Sequence, residues 1–375
     1  MTDSRKPKDV NGVKAGSSDG DRRKRGARPS QGTSKLADVA RVAGVSTATA
    51  SRALNAPHLV SSATRERILS AIQHLNWIPH GAAKALASLR THTVGALIPT
   101  LGHQTIASML EGLQGQLHAA GYTLLLGRPD PTGERATEQA AKMIEHGIEG
   151  MILFGEDQPQ PLLDLLRQRN VFCTVAYTSG RAGMPNCIGI DNFVEMQKVV
   201  EHVLGLGHTR IGLITRPYER NDRIRQRVES VNYTLARQGL AVRPQHVYVM
   251  PQSGAMSGYG VGAGRAGLEK ILATGPRVTA VICTNDYLAL GALIEARAQG
   301  IKVPDELTIT GFDDVELAVH LDPPLTTVRV PARRIGEEVG RFVVERLNGA
   351  EVELPPRIEA ELMIRGTSAP PPDAA

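Results

Sequence analysis

Between Lys35 and Trp77 the apolar positions recur at helical spacing. Leu36, Val39, Ala40 and Ala43 fall at i, i+3, i+4 and i+7, which predicts one buried face of a short helix. Gly44 ends it. Ser46 offers an N-cap hydroxyl to a second helix from Thr47 to about Leu54. Ala48, Ala50 and Ala53 keep that helix thin; Ala50 is expected against the first helix, with Thr47, Ala48 and Arg52 pointing outward. Ser61 and Thr64 precede a third helix, "RERILSAIQHLNW", striped by Ile68, Ala71, Ile72 and Leu75, with Trp77 closing the small core. A short Ala-rich segment, "HGAAKALASLR", follows Pro79 and is marginal as a helix in water.

From residue 93 the period changes. "TVGALIPT", "YTLLLGR", "GMILFG", "FCTVAY", "NCIGID", "RIGLIT" and "AVICTND" are short apolar runs that read as buried parallel strands. Helical stretches at 106–120, 134–146, 193–206 and 223–238 separate them. This alternation predicts doubly wound sheets with a ligand site beyond the carboxyl ends of the strands. The fold class is therefore a small all-α head followed by an α/β body.

Charge sharpens the division. Residues 1–34 carry nine Lys or Arg against four Asp, and residues 35–92 carry seven against two acids, so each stretch holds +5. The chain totals +5, which leaves −5 for the other 283 residues. A basic head on an acidic body points to a polyanion at the head alone. Helix, tight glycine turn and helix is the helix-turn-helix layout, whose second helix enters the major groove of DNA. A helical hairpin that binds protein is the competing reading. "DRRKRGARPSQG" has no apolar period and predicts a disordered basic arm over 1–34.

Other chemistry is thin. With 375 residues the chain exceeds one core, so two or three domains are expected. No apolar run approaches the ~18 residues of a membrane span, and the charged N-terminus lacks a signal core, which predicts a cytoplasmic protein with no membrane partner. Cys173, Cys187 and Cys283 are far apart, which supports neither a metal site nor a disulfide framework; buried thiols are expected. No nucleophile elbow or metal-spaced cluster is present, so neither catalysis nor a cofactor is predicted. Gly262, Gly264 and Gly267 form GxGxxG, the dinucleotide fingerprint, yet "PQSGAMSGY" before it is a poor strand and nucleotide binding is not expected. His208 in "LGLGHTRIG" reads as a helix cap.

"LADVARVAGVSTATASRALN", "VSSATRERILSAIQHLNWIPHGAAKALAS", "GFDD" and "PPLTTV" resemble the lactose-repressor (LacI/GalR) family of bacterial transcription regulators over residues 35 to about 368. The resemblance implies a helix-turn-helix domain at 35–79, a hinge helix and linker at 80–92, an effector-binding and dimerisation domain at 93–369 and a disordered tail at 370–375. That body would be two parallel-sheet subdomains, like a periplasmic sugar-binding protein, joined by three crossovers. It implies base contacts from Thr47, Ala48 and Arg52, phosphate contacts from Thr49, Ser51, Asn55, Ser61 and Thr64, and a hinge in which Leu86, beside Lys84, wedges into the minor groove and bends the duplex. His80 stands where the family usually has Asn. Partners would be a double-stranded DNA operator, a small-molecule effector and a second copy of the chain, with a tetramer as the alternative.

For the effector, Asp191, Arg227, Asn285 and Asp313 match family ligand contacts, with Thr100 and His103 on the opposite wall. Arg227 is placed at a strand-to-helix junction with its fork in the cleft, Arg227 donating and Asp313 accepting. The family's Asn-Pro-Phe-Phe is here His103-Gln104-Thr105-Ile106, and Ser253 replaces a stacking aromatic. A pocket without those rings is poorly suited to a flat purine or a pyranose face. His103, Arg128 and Arg220 add positive charge, and "PTLGHQ" with "CTND" is most similar to the gluconate-responsive branch, although Asp313 departs from it. The expected function is thus a ligand-controlled DNA-binding repressor answering to a sugar acid such as gluconate. A neutral sugar or other metabolite is the alternative effector, and a solute-binding protein or sugar-metabolising enzyme the alternative class.

Overall fold

The computed structural model describes residues 35–77, 90–129, 135–180, 184–251, 260–275 and 277–372, and the chain divides into two units near Lys84 and Ala85. In the first unit, helix α1 spans Leu36–Ala43 and stops at Gly44, whose left-handed backbone (φ 65°, ψ 40°) lets its N–H reach the Ala40 and Arg41 carbonyls. Helix α2 spans Thr47–Asn55 and begins where the Ser46 hydroxyl accepts from the Thr49 N–H at 3.1 Å. Helix α3 spans Ser62–His74, with Ser61 capping Thr64 in the same way. Val39, Ala43, Ala53, Ile68 and Ala71 form the core, and Trp77 packs half-buried against it. Ala50 is fully buried, as its place on the slim helix predicts.

The second unit holds two parallel sheets. Strands β1 (Thr93–Leu97), β2 (Thr123–Gly127), β3 (Gly150–Phe154), β4 (Phe172–Ala176) and β5 (Cys187–Ile188) run in the order β2-β1-β3-β4-β5. Helices α4 (Gln104–Ala119), α5 (Ala136–Glu145) and α6 (Gln160–Gln168) connect them. The chain then crosses to β6 (Ile211–Thr215), β7 (Val247–Val249), β8 (Ala280–Cys283) and β9 (Thr308–Thr310), ordered β7-β6-β8-β9. Around that sheet lie α7 (Asn192–Gly205), α8 (Asp222–Ala236), α9 (Val261–Leu272) and α10 (Asp286–Ala298). After the short α11 (Leu317–His320), β10 (Thr327–Arg329) leads to α12 (Ala332–Leu347), which returns to pack on α4, before β11 (Glu361–Met363) pairs antiparallel with β10. The predicted strands and helices that fall on described residues are present within a few residues; the expected hinge helix lies outside them. Strands β7, β9, β10 and β11 were not expected, because three-residue strands are too short to show a period.

As expected, the GxGxxG run forms no phosphate loop: Gly262, Gly264 and Gly267 lie inside α9, and a Cβ on Gly264 would sit 2.1 Å from the Leu288 carbonyl oxygen, so this glycine brings α9 against α10. His208 does close α7, but through its backbone, whose N–H donates to the Val203 carbonyl at 3.4 Å; the side chain has another task. Its buried ring meets Thr279 Oγ1 at 3.0 Å and Thr308 Oγ1 at 3.1 Å, and Nε2 reaches the Ala369 carbonyl at 2.8 Å, pinning the C-terminal segment to the second sheet; burial holds its pKa below the usual histidine value. The three cysteines are free: Cys283 is buried, while Cys173 and Cys187 are half-buried and pushed up to about 12 by desolvation. No helix among the described residues is long and apolar enough to cross a membrane.

Candidate functional site

On the head, α2 turns Thr47, Ala48 and Arg52 to the exposed face, while Ala50 and Ala53 are buried. Thr49 and Ser51 are half-buried, Ser61 is exposed and Thr64 half-buried. The Ser46 and Thr49 hydroxyls lie 2.9 Å apart, as do those of Ser61 and Thr64, so each pair is held at the open end of a helix. Free N–H groups and the helix dipole at such an end favour a phosphate. The side chain of Asn55, together with His80, Lys84 and Leu86, lies outside the described residues, as does Ser253.

The body contains a cavity of about 920 Å³ whose walls come from both sheets at the strand carboxyl ends. His103 (5% exposed) before α4, Arg227 (3%) on α8, Asn285 (2%) at the head of α10 and Asp313 (4%) after β9 all line it. His103 Nε2 stands 3.4 Å from one Asp313 oxygen and Arg227 Nη2 3.6 Å from the other, so one carboxylate joins groups contributed by the two sheets. The His103 Nδ1 lies 2.7 Å from the Thr105 hydroxyl. Desolvation lowers the histidine's pKa more than Asp313 raises it, which leaves the ring neutral near pH 7. Asp313 holds a left-handed backbone (φ 123°), fixed because its N–H donates to the Val328 carbonyl at 2.9 Å. Strain of this sort persists only where surrounding contacts over-determine it.

Arg227 differs from expectation. It sits in the second turn of α8 rather than at a junction, and its donors are already engaged. Nε donates to Asn192 Oδ1 at 3.0 Å and Nη1 to the Thr284 carbonyl at 2.8 Å, and the guanidinium lies 3.6 Å over the Phe312 ring. Asn285 divides its amide: Oδ1 caps α10 by accepting from Leu288 N at 2.9 Å, while Nδ2 has no partner. Asp191 is not among the cavity-lining residues; its carboxylate accepts from Phe193 N and Val194 N and starts α7. Thr100 lines the cavity, half-buried, and Arg128 and Arg220 stand exposed at its edge.

Sequence reasoning missed four lining groups. Arg216 follows β6, and Arg223 lies one turn before Arg227 on α8, with its guanidinium 4.3 Å from the Phe154 ring. Phe154 and Tyr177, stacked with centroids 5.0 Å apart, also line the cavity, so it does contain rings, although Arg223 covers one face of Phe154. The arginine-rich run "TRPYERNDRIRQR" straddling a strand end and a helix start was the available signal. At the lip, Arg225 binds Asp157 with both nitrogens, at 2.6 and 2.8 Å, and so joins α8 to the loop after β3.

A slim recognition helix on one unit and a two-sheet binding cleft on the other define a ligand-responsive DNA-binding regulator. Comparison with known proteins names the family. Residues 35–80 match "Bacterial regulatory proteins, lacI family", and residues 200–368 match "Periplasmic binding protein-like domain". The chain is 30% identical over 345 residues to the HTH-type transcriptional repressor CytR of Escherichia coli (strain K12), covering 91% of this chain and 98% of the relative. It is 28% identical over 334 residues to the repressor PurR of Vibrio campbellii, covering 88% and 98%. Among solved structures it is similar to the lac repressor dimer bound to operator and an anti-inducer, with TM-score 0.79, 25% identity and coverage of 90% of this chain and all of that one. The chain belongs to the lacI family; it is a transcriptional repressor and not an enzyme.

Proposed function

We propose that this repressor acts in the cytoplasm as a homodimer, each head reading half of a pseudo-palindromic operator, under the control of a sugar acid such as gluconate in the body cleft. Thr47, Ala48 and Arg52 would meet base edges; Thr49, Ser51, Asn55, Ser61 and Thr64 would meet phosphates; Leu86, beside Lys84, would wedge into the minor groove. The observation that carries the effector reading is the cleft's charge: Arg216, Arg223 and Arg227 line it, while its Asp313 is shared between His103 and Arg227. Arginine in a water-poor site selects oxyanions. Thr100, Asn285 and Asp313 supply polar partners for hydroxyls, and Asp191 acts by starting α7. Effector binding would alter the fit of the two sheets' contributions at Asp313 and at the Arg225–Asp157 lip, biasing the dimer between two states; a few kcal/mol of differential affinity suffices.

Calorimetry with gluconate and glucose tests the reading. The acid is expected to bind at least tenfold tighter, about 1.4 kcal/mol. Equal affinity for the neutral sugar would overturn the anionic effector and leave the repressor standing.

A further inference from the structure

The cleft holds more positive charge than a single carboxylate would answer. Arg227 is internally satisfied, as described above, and needs no ligand to balance it. Arg216 and Arg223 are different. Arg216 has no carboxylate within salt-bridge distance among the described residues; its hydrogen bonds are those of its backbone, the N–H donating to Thr284 Oγ1 at 3.3 Å and the carbonyl accepting from Thr215 Oγ1 at 3.1 Å. Arg223 has only Asp222, at 3.8 Å, and its buried Nε has no hydrogen-bond partner. Asp157, which also lines the cavity, is taken by both nitrogens of Arg225. Asn285 adds a second buried donor, Nδ2, that meets nothing. Both unmet groups are donors, and a buried donor left unmade costs about 1–3 kcal/mol. Burial opposes the charge of both arginines more than any other influence does, and Arg216 adds a small repulsion at Arg223.

Resting on the anionic-effector reading above, we infer that the effector carries two anionic ends, called a dianion below although a phosphate end adds further charge, and that the second, a phosphate monoester or a second carboxylate, seats on Arg216 and Arg223. A group of that kind presents several acceptor oxygens to two planar donor forks, which fits their arrangement better than a hydroxyl does. The remaining carbon chain and its hydroxyls would lie toward Asn285 and Asp313, and a cavity of about 920 Å³ has room for both ends.

The test is calorimetry on the full chain with glucose, gluconate, glucarate and 6-phosphogluconate. At least one of the two dianions is expected to bind tenfold or more tighter than gluconate, and which one does so distinguishes carboxylate from phosphate. Arg216→Gln and Arg223→Gln, each checked for folding by melting, should bring the dianion-to-monoanion affinity ratio close to one. Gluconate binding as well as both dianions would overturn the inference while keeping the sugar-acid reading, as would a ratio unchanged in both variants. Absence of binding by either dianion would also overturn it. Glucose binding as well as gluconate would overturn both readings at once.

Discussion

The head and the body present their candidate chemistry in opposite ways. On α2, Thr47, Ala48 and Arg52 are exposed, and no contact within the head fixes what they will meet. In the cleft, His103, Arg227, Asn285 and Asp313 are almost wholly buried, and much of their bonding capacity is spent on each other or on nearby backbone. An exposed reader can change its target without disturbing the fold that carries it. A buried reader is part of the fold, so its specificity and its stability are coupled.

The largest blow to this comparison would come through the glycines of the body. A Cβ on Gly336 of α12 would lie 1.9 Å from the Met109 carbonyl oxygen of α4, a backbone atom that cannot step aside. Gly336→Val should lower body stability by about 3 kcal/mol, within the range of overpacking. Calorimetric melting should move the body transition alone; equal movement of the head would break the separation drawn here. On the head, Arg52→Ala should cost about 1–3 kcal/mol on the operator and little on random DNA, because a guanidinium forking onto guanine discriminates by that amount. Fluorescence anisotropy showing equal losses on both DNAs would remove Arg52 from base reading. Ser46→Ala should weaken α2 by about 1 kcal/mol through loss of its cap, seen as faster amide exchange at Thr49 and its neighbours. Unchanged exchange would show that the cap contributes nothing.

A pH-dependent effect concerns Asp286, the first residue of α10. Its carboxylate accepts from Thr327 Oγ1 at 2.5 Å and Val315 N at 2.8 Å, and burial, with Asp313 nearby, raises its pKa to about 7. A carboxyl whose pKa is higher folded than unfolded binds more protons when folded. Its contribution is therefore fully present below the unfolded value near 4 and is lost as pH rises toward 7. The stability of the wild-type chain relative to Asp286→Asn should thus fall between pH 4 and pH 7, as read from melting curves. A flat difference would show that Asp286 does not titrate in that window.

How much of this was legible in the sequence follows the same contrast. α1, α2 and α3, with Gly44 and Ser46 between them, were readable because caps and apolar periods act over three or four residues. The long strands and helices of the body were readable for the same reason. Asp313 was found through resemblance, but its bridge to His103, 210 positions earlier, is a product of topology and leaves no local trace. Arg223 lay in plain sight four residues from Arg227; nothing in the spacing indicated that Arg227 would be the satisfied one and Arg223 the open one. That Asp191 would cap α7 was not legible, because a helix-capping Asp and a ligand-binding Asp look alike in one dimension.

The return of α12 to α4 bears on how the chain is made. Gly112 and Gly336, more than two hundred residues apart, let the two helices meet at backbone contact. While a ribosome is still adding the second sheet, the first sheet has all five strands yet lacks the helix that covers α4. Its apolar face stays open until residues 332–347 emerge, more than a hundred residues after the last strand of that sheet. Nascent chains stalled before residue 332 should therefore be sticky and protease-sensitive in the very part synthesised first, since long-range closure comes late and exposes surface meanwhile. In this protein the early sheet waits for the late helix.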